Sequence, residues 1–151
     1  MIQENEATKA RYRNERHKAV ASFLYTYSNV TSRLHKMLNE HNLTLQQFNI
    51  LRILQRHFPE PCCNNTIRKQ MLDARSDITR IVDRLVKEEL ATRKHCSEDR
   101  RKVNIIITRK GLDLLARMDH LNEKMDGIVE PLTDREVVEL NRLLDKIRSQ
   151  H

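Results

Sequence analysis

The chain has 151 residues, the size of one domain with a real core, and only two Gly and three Pro among abundant Leu, Ile, Arg, Lys and Glu, which favours a mainly helical protein. The formal net charge is +7, and residues 66–110 alone hold 13 Lys or Arg against 7 Asp or Glu, a concentration suited to a polyanionic partner and not to a neutral surface. No stretch has the roughly 18 apolar residues of a membrane span, the start lacks a signal peptide's apolar core, and three Cys in no framework spacing read as reduced thiols, so a cytoplasmic protein without a membrane partner is expected.

Residues 1–17 are charged and poor in apolar side chains, and read as an N-terminal arm, with a solvated start of the next helix as the alternative for residues 1–16. From Lys18 to His41 the positions Val20, Phe23, Leu24, Tyr27, Val30, Leu34, Met37 and Leu38 recur at helical spacing. Such a helix extends roughly 39 Å, against a radius of gyration of about 15 Å for a domain of this length. Residues 18–42 therefore need a surface beyond their own domain, and a second copy is the economical one. Thr44 and Gln47 fit a capping box that opens a second helix with Phe48, Leu51, Ile53 and Leu54, and Pro59 and Pro61 close it.

Asn64 to Leu72 reads as a short helix, with Asn64 or Asn65 as its cap and Ile67, Met71 and Leu72 inward. A turn at Asp73-Ala74-Arg75 follows. Ile78, Ile81, Val82, Leu85 and Val86 then form an apolar stripe, opposite a face of Arg75, Ser76, Asp77, Thr79, Arg80, Asp83, Arg84 and Lys87. From Ala91 the period changes. Thr92 to His95 and Lys102 to Ile107 read as two strands, with Val103, Ile105 and Ile107 on one face and a polar tip between them. A helix followed by a basic-tipped hairpin suits a winged helix-turn-helix, with the helix in a major groove and the hairpin in a neighbouring minor groove. Leu112, Leu114, Leu115, Met118, Leu121, Met125, Ile128 and Val129 predict one long helix ended by Pro131. Thr133 and Glu136 then cap a terminal helix with Val137, Leu140, Leu143, Leu144 and Ile147.

Three motifs in this order resemble the MarR family of bacterial transcription regulators. The run from Ser76 to Leu85 is similar to the family's recognition helix, Asp99-Arg100-Arg101 to its wing motif, and Thr108-Arg109-Lys110-Gly111 to the Thr-x-x-Gly that leaves the wing. The Leu43-Thr44 entry to the second helix and the Ile50-Leu51 pair are also similar to the family's, and the resemblance spans about residues 20–148. Two departures stand out: Asp73-Ala74-Arg75 and Glu88-Glu89-Leu90 have no Gly where many relatives carry one.

The resemblance implies a mainly α winged helix-turn-helix with a small β-hairpin wing and a helical dimerisation region from both termini. The chain then divides into the arm, a dimerisation helix at 18–42, a DNA-binding lobe at 43–110 and C-terminal dimerisation helices at 111–151. It implies a homodimeric repressor on double-stranded DNA, responsive to a small-molecule effector and associated with the nucleoid when bound. Arg75, Ser76, Thr79, Arg80 and Arg84 are assigned to the DNA face. At the wing tip Arg101 enters the minor groove, where the negative potential is enhanced, and Asp99 holds its guanidinium. Arg100 and Lys102, with Arg93 and Lys94, add phosphate attraction. Phe23, Tyr27, His41 and Phe48 are candidate effector contacts.

Other readings are weaker. Relatives that sense oxidants carry the reactive cysteine in the first long helix, which has none here, so Cys62 and Cys63 read as passive thiols, whereas Cys96 on the wing is expected to be exposed, where its oxidation could disturb DNA binding. His57 with Cys62 and Cys63 lacks a fourth ligand, so neither a metal site nor a cofactor is expected. No nucleophile-base pair, phosphate loop or carboxylate dyad points to catalysis. Two alternatives stay open: a metal- or thiol-dependent sensor, and a helical module whose basic hairpin binds an acidic protein. Replacing Arg101 with Ala is expected to weaken binding to a specific duplex about tenfold or more with the fold unchanged, read by fluorescence anisotropy and circular dichroism. Unchanged affinity would remove Arg101 from the minor groove.

Overall fold

A computed structural model describes residues 12–73, 75–95 and 103–149. Its helices are α1 (Glu15–Asn39), α2 (Leu45–His57), α3 (Asn64–Gln70), α4 (Ile78–Lys87), α5 (Arg109–Arg117), α6 (His120–Asp126) and α7 (Asp134–Arg148), and its strands are β1 (Cys62–Cys63), β2 (Ala91–His95) and β3 (Val103–Ile107). The strands form one antiparallel sheet in the order β1-β3-β2. The mainly helical fold with a β-hairpin is the one expected.

The local start signals act as read. Thr44 accepts the Gln47 backbone N–H at 3.2 Å while the Gln47 side chain accepts the Thr44 N–H at 2.9 Å, a reciprocal cap for two otherwise orphaned donors. Thr133 and Glu136 repeat the arrangement at the start of α7. Helix α1 reaches back into the end of the charged N-terminal segment, as the solvated helix start that is one reading of it, because Asn14 accepts the His17 N–H and caps it there. The core gathers Ile50, Leu51, Ile53 and Leu54 of α2, Ile67 of α3, Ile78, Val82 and Leu85 of α4, and Ile105 and Ile107 of β3. Leu115, Met118 and Leu121 join it from the other side.

Four expectations change. Strand β1, where no strand is expected from the sequence, lies beside β3, with Cys62 opposite Ile105 and Cys63 opposite Asn104. The extended chain runs from β1 straight into α3, so Cys63, not Asn64 or Asn65, is the cap, its Sγ accepting the Thr66 N–H. Helix α3 stops at Gln70 because Met71 is extended (φ −67°, ψ 141°), and the next residue then points the other way. Met71 is buried and Leu72 is 81% exposed, not inward. The long helix expected after the wing is broken at Met118 and Asp119. Their N–H groups bond back three residues, to Leu115 and Ala116, and tighten the chain. That turn still buries both Met118 and Leu121, and Arg52 of α2 holds it, donating to Asn122 Oδ1 at 2.9 Å with Asp119 Oδ1 3.5 Å away.

The outer helices are different in kind. Leu38 is the one buried residue of α1, and α7 buries none. Val20, Phe23, Leu24 and Tyr27 on α1 and Val138, Leu143 and Ile147 on α7 stay exposed. Among the described residues, no helix is long and apolar enough to cross a membrane.

Gly111 closes the lobe. A Cβ there would sit 2.4 Å from the Leu90 carbonyl oxygen and 2.7 Å from Ile107 Cγ1, so the first turn of α5 packs on the hairpin base through bare backbone. Gly111→Ala should cost about 1–3 kcal/mol, as overpacking does in cores, visible as a lower urea midpoint. An unchanged midpoint would show that the contact is loose.

Candidate nucleic-acid interface

Asp73 orders the turn between α3 and α4. Its carboxylate accepts the Arg75 backbone N–H at 3.0 Å and the Ser76 hydroxyl at 3.3 Å, and its carbonyl accepts the Ser76 N–H at 3.2 Å. This Asx-type turn supplies locally what many relatives obtain from a glycine. Asp77 then caps α4 by accepting the Arg80 N–H at 3.2 Å. Arg75 and Ser76 are thus turn residues that precede the recognition helix, whereas the spacing placed them on its polar face.

Helix α4 turns Ile78, Val82 and Leu85 into the core and leaves Thr79, Arg80, Asp83, Arg84 and Lys87 exposed. The helical repeat puts Thr79 and Asp83 along one edge and Arg80 and Arg84 along the other, with Lys87 between them. Along the arginine edge lies an open cleft of about 470 Å³ shared with Ser76, Asp77, Thr44 and Gln46. Along the other edge Asp83 pairs with Arg93 of β2 at 2.6 Å. Arg93, expected to serve the phosphates, has a protein partner.

The far end of α4 has the second missing glycine. Glu89 takes the left-handed conformation itself, with φ 60°. Its carbonyl accepts the Thr108 hydroxyl at 2.7 Å and its carboxylate meets Lys110 Nζ at 2.9 Å, which holds that carboxyl below the usual range. Gln47, buried at the start of α2, donates to Glu88 at 3.5 Å. Recognition helix, hairpin base and the start of α5 are thereby tied together.

In the hairpin, Ala91 lies opposite Ile107, Arg93 opposite Ile105 and His95 opposite Val103. Asp99, Arg100, Arg101 and Lys102 of the wing tip lie outside the described residues. The four candidate effector contacts are not brought together within one protomer. Phe23 and His41 are 18 residues apart along α1 and its end, roughly 27 Å at the helical rise. Phe23 and Tyr27 are exposed; Phe48 is buried with the Arg52 guanidinium 5.2 Å above its ring, and His41 faces His120 at 6.0 Å. None of the four lines the cleft beside α4.

Two residues beyond the sequence-assigned set adjoin the exposed face of α4, Lys87 and Thr44. Lys87 was visible in the polar stripe; Thr44 reaches the face only because α2 packs beside α4. From the sequence, Cys62 and Cys63 are alike; in the structure they differ. Burial, and then the neighbouring Cys63, push the Cys62 thiol up, whereas hydrogen bonds from the Thr66 hydroxyl and backbone hold Cys63 below its ordinary 9.0. Cys63 Sγ lies 3.2 Å from Thr66 Oγ1.

A basic-faced helix beside a two-stranded wing defines a winged helix-turn-helix DNA-binding protein. The MarR family model matches residues 43–103. The chain is 30% identical over 123 residues to the HTH-type transcriptional regulator MhqR of Bacillus subtilis (strain 168), covering 80% of this chain and 83% of that one. The S. aureus MepR–DNA complex has a similar fold, with TM-score 0.79 and 20% identity over 87% of this chain and 97% of that one. BpsR of Bordetella bronchiseptica, whose DNA binding is regulated by 6-hydroxynicotinic acid, has TM-score 0.77 and 22% identity over 87% and 98%. The chain belongs to the MarR family of winged-helix transcription regulators, which bind DNA.

The two described thiols should separate under alkylation. Because the thiolate is the reactive form, the Cys63 rate should rise with pH through a midpoint below 9.0, and the Cys62 rate through one above it. Iodoacetamide labelling followed by peptide mass spectrometry resolves them. Equal rates across the series would refute the assignment.

Proposed function

We propose that the protein is a homodimeric, effector-responsive repressor that reads an inverted repeat. The exposed apolar faces of α1 and α7 carry the reading. Val20, Phe23, Leu24, Leu140, Leu143 and Ile147 are each at least 37% exposed, and two helices of 25 and 15 residues bury a single side chain between them. Large exposed apolar faces on helices are what association buries. Residues 18–42 and 111–151 then form the dimer, with the helix running back to Glu15, and residues 43–110 form the DNA-binding lobe.

Two-fold symmetry gives two recognition helices and half-sites about 10 base pairs apart, centre to centre. Thr79, Arg80 and Arg84 on α4, with Arg75 and Ser76 ahead of it, meet the major groove. Asp99, Arg100, Arg101 and Lys102 serve the minor groove and its phosphates. MepR in complex with DNA supports the mode, and BpsR, regulated by 6-hydroxynicotinic acid, supports control by a small molecule. An effector that changes the spacing of the two helices releases the DNA. The protein works in the bacterial cytoplasm, at the nucleoid when bound.

Selection from a random duplex pool, followed by titration across a salt series, tests this. An enriched inverted repeat with a steep salt slope is expected. In light scattering the protein should have twice the chain mass, and Leu24→Glu with Leu143→Glu should halve that mass and lower affinity at least tenfold, since a monomer holds one half-site. A monomeric wild type, or enrichment of no sequence, would refute the proposal.

A further inference from the structure

We propose that Asp83 and Arg93 are a positioning pair that sets the wing against the recognition helix, and so controls sequence selectivity without either side chain reading a base. The inference rests on the DNA-binding reading above. Asp83 is an oddity on that reading: a carboxylate on the exposed face of α4, among Arg80, Arg84 and Lys87, would repel phosphate. Its partner explains it. Asp83 Oδ1 stands 2.6 Å from Arg93 Nη2, with the side chains 53% and 35% exposed.

The strand register puts Arg93 there. Directly opposed residues of an antiparallel pair share a face of the sheet. Arg93 is opposite the buried Ile105, as Ala91 is opposite the buried Ile107, so Arg93 is on the side of the hairpin that packs on the helices. Thr92 and Lys94, opposite Ile106 and Asn104, belong to the other side. Of the two cations on β2, Arg93 faces α4 and Lys94 does not.

The hairpin already has a fastening at its base, through Thr108 and Lys110 to Glu89. Further out, β1 pairs with Ile105 and Asn104 and so holds the β3 edge at the level of Arg93. Asp83–Arg93 holds the other edge, on β2, at that same level, and a hold on both edges sets an angle. An exposed ion pair adds little to fold stability, so its consequence is geometric: it fixes where the wing falls when α4 is seated in the groove.

The test uses the full-length dimer with Asp83→Asn, Arg93→Gln, the exchanged pair Asp83→Arg with Arg93→Asp, and Arg93→Lys as the conservative change. Two quantities are read: the affinity ratio between a selected duplex and a scrambled one, and amide exchange at Lys94, His95 and Asn104 in the free protein. Asp83→Asn and Arg93→Gln should each lower the ratio about tenfold, the size of one poorly read base pair. Exchange in the hairpin should quicken, with the thermal midpoint nearly unmoved. The exchanged pair and Arg93→Lys should restore both readouts in part.

Asp83→Asn that tightens binding to both duplexes alike would overturn the proposal, leaving Asp83 a simple repeller. A lowered ratio with unchanged hairpin exchange would also overturn it, because Asp83 would then be a base contact. Additive losses in the exchanged pair would deny the coupling. A wild-type protein that prefers no duplex would remove the DNA reading and this proposal with it, an outcome distinct from wild-type selectivity that Asp83→Asn leaves intact.

Discussion

The close approach of two backbone segments at Leu90 and Gly111 is the constraint on which the winged helix-turn-helix depends. Side-chain atoms at Gly111 would occupy the space of the Leu90 carbonyl and of Ile107. With a bare backbone there, the end of the recognition helix, the root of β3 and the start of α5 meet without an intervening layer. Thr108 uses that proximity twice. Its hydroxyl donates to Glu89 and accepts the Gly111 N–H, so one side chain joins the helix end to the next helix start. The Thr-x-x-Gly spacing is a packing requirement of this corner, independent of any contact with DNA.

From that corner the charge distribution acquires a geometry. Among the described residues, cations of the basic stretch 66–110 go to different destinations in the fold. Arg80 and Arg84 edge a cleft against the start of α2, Arg93 is paired inward with Asp83, and Lys110 is engaged by Glu89. A net surplus thus overstates the number of cations open to phosphate, and the paired ones serve the alignment of the elements that carry the rest. Outside the lobe, the long helices contribute little to their own core. Their apolar faces have the composition of a buried surface and the exposure of an open one, a mismatch that association relieves.

Much of this was legible in the chain because it is governed by neighbours in sequence. Capping boxes at Thr44 and Thr133 depend on residues three apart, and the stripe Ile78, Val82, Leu85 depends on helical repeat alone. The glycine departures could be located but not resolved. Asp73 bonds its own turn, whereas Glu89 adopts a positive φ, and neither outcome is written in the local letters. Where the reading failed, the deciding contact was distant: β1 exists because β3 passes beside it, and the break at Met118 is held by Arg52, far earlier in the chain.

The sequence by itself determined the helices and their apolar faces, the hairpin, the basic lobe and the family, because period, capping and charge are properties of short windows. Tertiary structure alone decided which side chains of those windows meet. It buried Met71 and exposed Leu72, split a continuous apolar period into α5 and α6, gave Cys63 the capping role, and turned Arg93 toward Asp83. The physical reason is common to all four. Each depends on which side of a strand or helix has a packed neighbour, and that is set by segments many residues away whose approach leaves no mark in the local pattern.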